Sequence, residues 1–451
     1  MMLAHGLAGR ADLPIPTWLF SWAAAAVLVV SFAALGTLWA KPRLEGDDFR
    51  PVLPRLGRLL TGRTLDVTCG TIGVLLLVLV IAAGITGAQV TPHNIAPTFV
   101  YVVFWLGFVP VSVVFGDVFH AFNPWRAVGR LTGWLLRGID AEPLEYPRRL
   151  GRWPAALGLL AFAALELVSA YGDRPSTVAY AAIVYSSLTW VGMALFGVEP
   201  WTRRAEAFGV YFNLFSRLSV VEVRDRVLGR RPFLSGLARL ELMPGTVAVV
   251  MTMIGSVTFD GLSAGPTWLR ETKPYINDLA DAGLGPRFAV ELFYGLGLIV
   301  VVALITGLYL LAIAGVRSVD GTRSLTDLAR RFAPTLVPIA LAYAAAHYVS
   351  LLLFTGQSIL PLASDPFGKG WDLFGTESYD ISFFVSAEVF WYLQLAFVVG
   401  GHVAALVLAH DRALTLYEDK RRAARSQYWM LTIMVFFTVL ALWLLSEASK
   451  G

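Results

Sequence analysis

Residues 67–88 read VTCGTIGVLLLVLVIAAGITGA, twenty-two positions without a charged side chain. Crossing a hydrocarbon core of about 30 Å takes about 20 such residues, and every backbone N–H and C=O must be paired within the segment. The stretch therefore reads as a membrane-spanning helix. Nine similar runs flank it, giving ten in all at approximately 17–39, 67–88, 98–119, 153–171, 177–197, 244–260, 287–316, 333–357, 381–409 and 428–446. The sixth is short and the seventh and ninth are long, so tilt or a broken end is expected there.

Composition agrees. Of the 451 residues, 57 % are apolar and 15 % charged, where soluble domains have about 45–50 % and about 25 %. Mean hydropathy is +0.65. These values exclude a soluble multidomain enzyme, a disordered chain and a nucleic-acid module. Cys69 is the only cysteine, which leaves no intrachain disulfide, thiolate zinc site or iron–sulfur cluster. The expected class is all-α: one polytopic bundle over 1–451, with the lipid bilayer as its main partner and no nucleic acid.

Basic residues set the orientation. The loops 41–66, 120–152, 198–243, 317–332 and 410–427 hold 29 of the 36 Lys and Arg residues, always on alternate sides of the runs. Basic loops stay in the cytoplasm, so both termini are expected outside, in a multi-pass protein of a bacterial plasma membrane. The first run is too long for a cleaved signal peptide and is followed by Lys41 and Arg43 as a stop. The net charge of +4 fits lipid-headgroup anchoring. Segments 125–137 and 207–218 alternate apolar and polar residues at helical spacing and are expected to lie along the cytoplasmic surface or to cover the ends of the bundle there. A faint repeat joins Phe115-Gly116 and Pro124-Trp125-Arg126 to Phe196-Gly197 and Pro200-Trp201.

Ionisable groups in hydrocarbon cost at least about 2.5–3.5 kcal/mol on insertion scales, so each needs an account. Asp260 falls at the outer end of its run. Glu166 and Glu291 lie about one to two turns below the outer surface, Glu388 about two turns down the ninth run, and His347 near the middle of the eighth. If these five converge, carboxylates with an imidazole suit a divalent ion of the zinc or manganese/iron class. His347, Glu388 and Asp260 are then the expected ligands, completed by His5 and His93 from above, with Glu291 or Glu166 as base. The competing reading puts each acid singly at a headgroup boundary or beside an arginine. The outer segments 261–286 and 358–380, the second with Asp365, Asp372, Glu377 and Asp380, are candidate lids. Glu388 and His402 share one helix face about 21 Å apart, which suits stations on a proton or ion route. Asp117 and His120 are candidates to share a proton or a metal, and His410-Asp411-Arg412 reads as an interfacial ion cluster. No GxxxxGK[ST], HExxH or GxSxG motif occurs.

The N-terminal HG of His5-Gly6, together with FGDVFHAFNPWRAVGR (115–130), FGVEPWTRRAEAFGVYFNLFSRL (196–218), GSVTFDGL (255–262) and GHVAALVLAHDRAL (401–414), resembles a set of actinobacterial membrane proteins labelled fenitrothion hydrolase. The resemblance runs over nearly the whole chain and implies hydrolysis of an apolar organophosphorus triester. Such hydrolysis calls for an activated water and a Lewis acid on the phosphoryl oxygen. The expected function is therefore a metal-dependent membrane hydrolase acting on an apolar small molecule in the outer half of the bilayer. The alternatives are a proton- or cation-coupled transporter using Glu388 and His402, or an envelope assembly factor.

Overall fold

The structure is a computed structural model and describes residues 17–52, 54–135, 142–319, 321–417 and 419–448. All ten apolar runs form helices, because only along-chain hydrogen bonding satisfies their backbone without water. In chain order the principal elements are α1 (Thr17–Leu38), β1 (Arg50–Pro51), α2 (Arg63–Thr86), α3 (Ile95–Phe115), α4 (Pro124–Leu135), α5 (Trp153–Leu167), α6 (Pro175–Phe196), α7 (Val198–Arg204) and α8 (Ala207–Ser216). They continue with β2 (Val221–Arg224), β3 (Val227–Arg230), α9 (Thr246–Ser263), α10 (Pro266–Leu279), α11 (Pro286–Ser318), α12 (Leu325–Phe332), α13 (Val337–Leu353), α14 (Ala387–Leu416) and α15 (Lys420–Ala448). Among the described residues, eight helices are long and apolar enough to cross a membrane: α2, α3, α6, α9, α11, the α12–α13 stretch, α14 and α15. The apolar part Trp22–Leu38 of α1 and the helix α5 are shorter. The chain is a multi-pass helical membrane protein.

Helix α9 is the axis of the bundle. It packs against α5, α11, α13 and α15, and Val249, Val250, Met251 and Phe259 are fully enclosed. Helix α1 lies against α14 and α15, so the first and last described helices pack together. The basic loops gather at one end. Arg412 pairs with Glu45, Arg239 with Asp47, and Arg126 with Asp66.

That end also carries the only sheet among the described residues, an antiparallel β1-β3-β2 arrangement with Arg50 opposite Arg230 and Val223 opposite Leu228. The β2–β3 turn places Asp225 and Arg226 at φ 49° and 61°, the geometry of a tight hairpin turn with two left-handed residues. The faint repeat has a structural counterpart: α3 and α6 both stop on a glycine, Gly116 at φ 87° and Gly197 at φ 86°.

Three expectations change. Segment 207–218 does not lie on a surface, because α8 is inserted between α3 and α5 with Phe212, Leu214 and Phe215 buried. The 261–286 segment is largely the helix α10, started by Pro266, a residue suited to the first helical turn. The ninth run begins its helix at Ala387 and not at 381, because Ser386 caps it by accepting from the Val389 N–H.

Candidate functional site

Asp260 sits near the end of α9 with 1 % of its surface exposed. A buried carboxylate without donors would be costly, and α13 supplies two from adjacent positions. The Tyr348 hydroxyl donates to Asp260 Oδ2 at 2.6 Å, and His347 Nε2 meets the same oxygen at 2.9 Å. In the tautomer that donates from Nε2 to this oxygen, Nδ1 holds the lone pair. The Cε1–Nδ1 edge of His347 faces Gly261, where even a Cβ would sit 3.7 Å away. The absent side chain leaves that edge room, and His347 keeps 13 % of its side chain exposed.

Glu166, on α5, lies within electrostatic range of Asp260. Its Oε2 is enclosed and has no hydrogen-bond partner among the described residues. Trp105 stacks edge-on to Tyr348 at 5.1 Å between ring centres. Tyr348 also walls an apolar cavity of about 450 Å³ between α3, α13 and α14, lined by Val109, Pro110, Ala345, Phe397 and Gly400 among others. Among the described residues no charged side chain lines it.

The structure thus joins Asp260 and His347, with Glu166 within electrostatic range of Asp260. It leaves the other expected site residues elsewhere. Glu388 is exposed in the first turn of α14, since the residues before Ser386 are not helical. Glu291 accepts from the Ala170 N–H at 3.0 Å and from Arg287 at 3.1 Å, an ion pair of ordinary kind. His93 is exposed in the turn before α3. His5 lies outside the described residues. Among the described residues no three His, Cys, Asp or Glu side chains converge as a metal site.

Each of the secondary candidates has partners of its own. His402 is fully buried, bonded through Nδ1 to Val398 O at 2.8 Å, and its Nε2 has no partner among the described residues; it shares nothing with the exposed Glu388. Asp411 accepts from Trp39 Nε1 at 2.8 Å and from the backbone N–H groups of Arg43 at 2.7 Å and Leu44 at 3.1 Å. With the Arg412–Glu45 pair it latches the loop after α1 onto α14. Asp117 accepts from Asn213 at 2.7 Å while His120 faces Glu199 at 3.6 Å, so they take separate partners. In the 358–380 segment Asp365 accepts from the N–H groups of Lys369 and Gly370, and Asp372 from that of Glu377. These acids build turns, and the segment docks on the 87–95 turn through Phe367 O and Pro366 O.

One buried acid escaped the sequence reading. Glu206 caps α8, accepting from the N–H groups of Phe208 at 2.9 Å and Gly209 at 2.7 Å, from Asn123 at 2.8 Å and from the Tyr185 hydroxyl. Burial pushes its carboxyl above the usual range, against these four donors. An acid directly before an apolar run is a helix-start signal, and it was available at Glu206.

Comparison with known proteins finds no matching family, no similar curated protein and no similar solved structure. The site stands on its geometry.

Proposed function

We propose that this chain hydrolyses apolar esters, organophosphorus triesters of the fenitrothion type included, using His347 as a general base held by Asp260. The observation that carries this reading is the 2.9 Å Asp260–His347 contact beside Tyr348, which is itself a wall of the apolar cavity. With Nε2–H held by the carboxylate, Nδ1 is left to take a proton from water. The water oxygen bonds to the phosphorus or acyl carbon as the bond to the phenolate leaving group breaks. The proton rests on Nδ1 and Asp260 stabilises the imidazolium. A nitrophenolate needs no acid to leave, and the cavity offers the apolar body of the ester a place between α13 and α14.

Asp260 and His347 are two donors, where a catalytic zinc is usually held by three protein ligands. A zinc, manganese or iron ion would need solvent or substrate to complete its shell, and the general-base step requires none. In this reading α1 and α5 also cross, giving ten spans in a bacterial plasma membrane. The basic end faces the cytoplasm and both termini face outward, which puts Asp260 in the outer half.

The test is nitrophenol release from fenitrothion by membranes containing the protein. We expect His347→Ala and Asp260→Asn to lower turnover at least about a hundredfold at matched expression, and a chelator to leave it unchanged. Release no greater than in membranes lacking the protein, or release that both variants retain, overturns the proposal. A second reading, ion-coupled transport, is favoured by the enclosed His402 with its unpartnered Nε2. It predicts flux of an unaltered solute that His402→Ala stops.

A further inference from the structure

The two faces of the β1-β3-β2 sheet treat their arginines differently. In an antiparallel ladder, residues directly opposite one another project from the same face, and like charges so placed repel. Arg50 on β1 stands opposite Arg230 on β3, while Glu222 on β2 stands opposite Gly229, one step along and so on the other face. On that other face the charges are matched. Arg224 and Arg239 each pair with both Asp47 and Glu222. Arg50 and Arg230 are exposed, and neither has an ion pair or a side-chain hydrogen bond among the described residues. The nearby Asp66 is taken by Arg126 and Arg130, and the exposed Asp48 and Asp225 form no ion pair among the described residues.

A short helix, Pro54–Leu60, seats against the face that carries the facing arginines. A Cβ at Gly57 would lie 3.0 Å from Leu228 Cβ, and Leu228 shares a face with Arg230, two residues along β3. The short helix exposes Leu59 at 69 % and Leu60 at 46 %. It also exposes Arg55 and Arg58, again without ion pairs among the described residues. The membrane-spanning α2 starts just beyond it, at Arg63, so these leucines stand at the bilayer surface. There apolar side chains reach acyl chains and the arginines beside them meet headgroups.

We infer that Arg50 and Arg230, flanked by Arg55 and Arg58, bind the phosphate headgroup of an anionic phospholipid, whose acyl chains lie against Leu59 and Leu60. A phosphate between the facing guanidinium groups replaces their repulsion with charge-assisted hydrogen bonds. The inference does not depend on ester hydrolysis.

The experiment is native mass spectrometry of the purified full chain in neutral detergent, titrated with dioleoyl-phosphatidylglycerol or dioleoyl-phosphatidylcholine. We expect the wild type to retain phosphatidylglycerol in preference to phosphatidylcholine. Arg50→Gln/Arg230→Gln should weaken that retention at least about tenfold. Arg421→Gln/Arg422→Gln removes the same charge from exposed residues in the first turn of α15 and should leave it unchanged. Melting temperature gives a second readout: phosphatidylglycerol should raise it in the wild type and much less in Arg50→Gln/Arg230→Gln. Arg230→Gln alone serves if the double variant does not fold. Equal retention of the two lipids by the wild type overturns the inference. So does an equal loss in both double variants, which reduces the effect to a general attraction toward basic residues. A rise in melting temperature as large with inorganic phosphate alone makes this a soluble-anion site and overturns the lipid assignment.

Discussion

Asp260 takes both of its side-chain donors from neighbouring residues of a single helix, so the rotation of α13 about its axis sets the imidazole and the phenol together. Tyr348→Phe keeps the ring that walls the cavity and removes only the donor to Asp260. A hydrogen bond to a charged group contributes about 1.5–3 kcal/mol, so turnover should fall roughly ten- to a hundredfold, read as kcat with KM nearly unchanged. A comparable loss in KM alone would mean that the hydroxyl serves binding. A different pH effect belongs to His120, at the basic end, where burial holds the imidazole below its ordinary value while Asp117, Arg126, Glu199 and Arg203 surround it. The folded state then resists a proton that the unfolded chain accepts. Its contribution to stability is complete above the unfolded value of about 6.5 and is lost as pH falls through the lower folded value. Melting temperature measured from pH 7.5 down to 5 should drop more steeply in the wild type than in His120→Gln. Asp260, His347 and Glu166 were legible in the sequence because a charge inside an apolar run demands an account. Tyr348 was not, since an aromatic residue in such a run raises no alarm. Glu388 was misplaced because Phe383, Phe384 and Val385 extend the apolar run without extending the helix.

Two adjacent glycines show how the α13–α14 seam makes both a contact and a cavity. A Cβ at Gly401 would meet the Ala342 Cβ at 2.3 Å and Pro338 O at 2.7 Å, whereas at Gly400 nothing lies within 4 Å. Gly401→Val should therefore cost about 1–3 kcal/mol by forcing the helices apart, seen as a lower melting temperature in detergent. Gly400→Phe should leave the melting temperature nearly unchanged and fill the cavity, and hydrolysis of bulky esters should fall while the smallest esters are spared. Equal loss for large and small esters would show that the cavity does not receive the substrate. At this scale the sequence spoke clearly for the helices, whose apolar length is dictated by the bilayer. It was silent on the β2–β3 hairpin, because the tight turn uses Asp225 and Arg226 in place of the usual glycine. It was misleading on α8, whose aromatic stripe serves packing inside the bundle.

The whole bundle has one chemically distinct end, where Arg and Lys outnumber acids and the loops cross-link one another. Its sidedness can be measured because Cys69 is the only thiol. In a Cys69→Ala background, a membrane-impermeant maleimide should label Lys369→Cys in intact cells and Lys420→Cys only after permeabilisation. The reverse pattern would invert the topology and bring Asp260 to the inner leaflet. The latch of Asp411 on Trp39 carries a consequence for how the protein is made. These partners are 372 residues apart, so at 5–20 residues per second the ribosome needs about 20–75 s after the first helix emerges to supply its partner. During that interval the newborn N-terminal segment waits in the translocation machinery or among lipids, its tryptophan unclaimed. A chain cut short before α14 therefore inserts without ever closing, and it presents to membrane quality-control proteases a face that the finished protein hides.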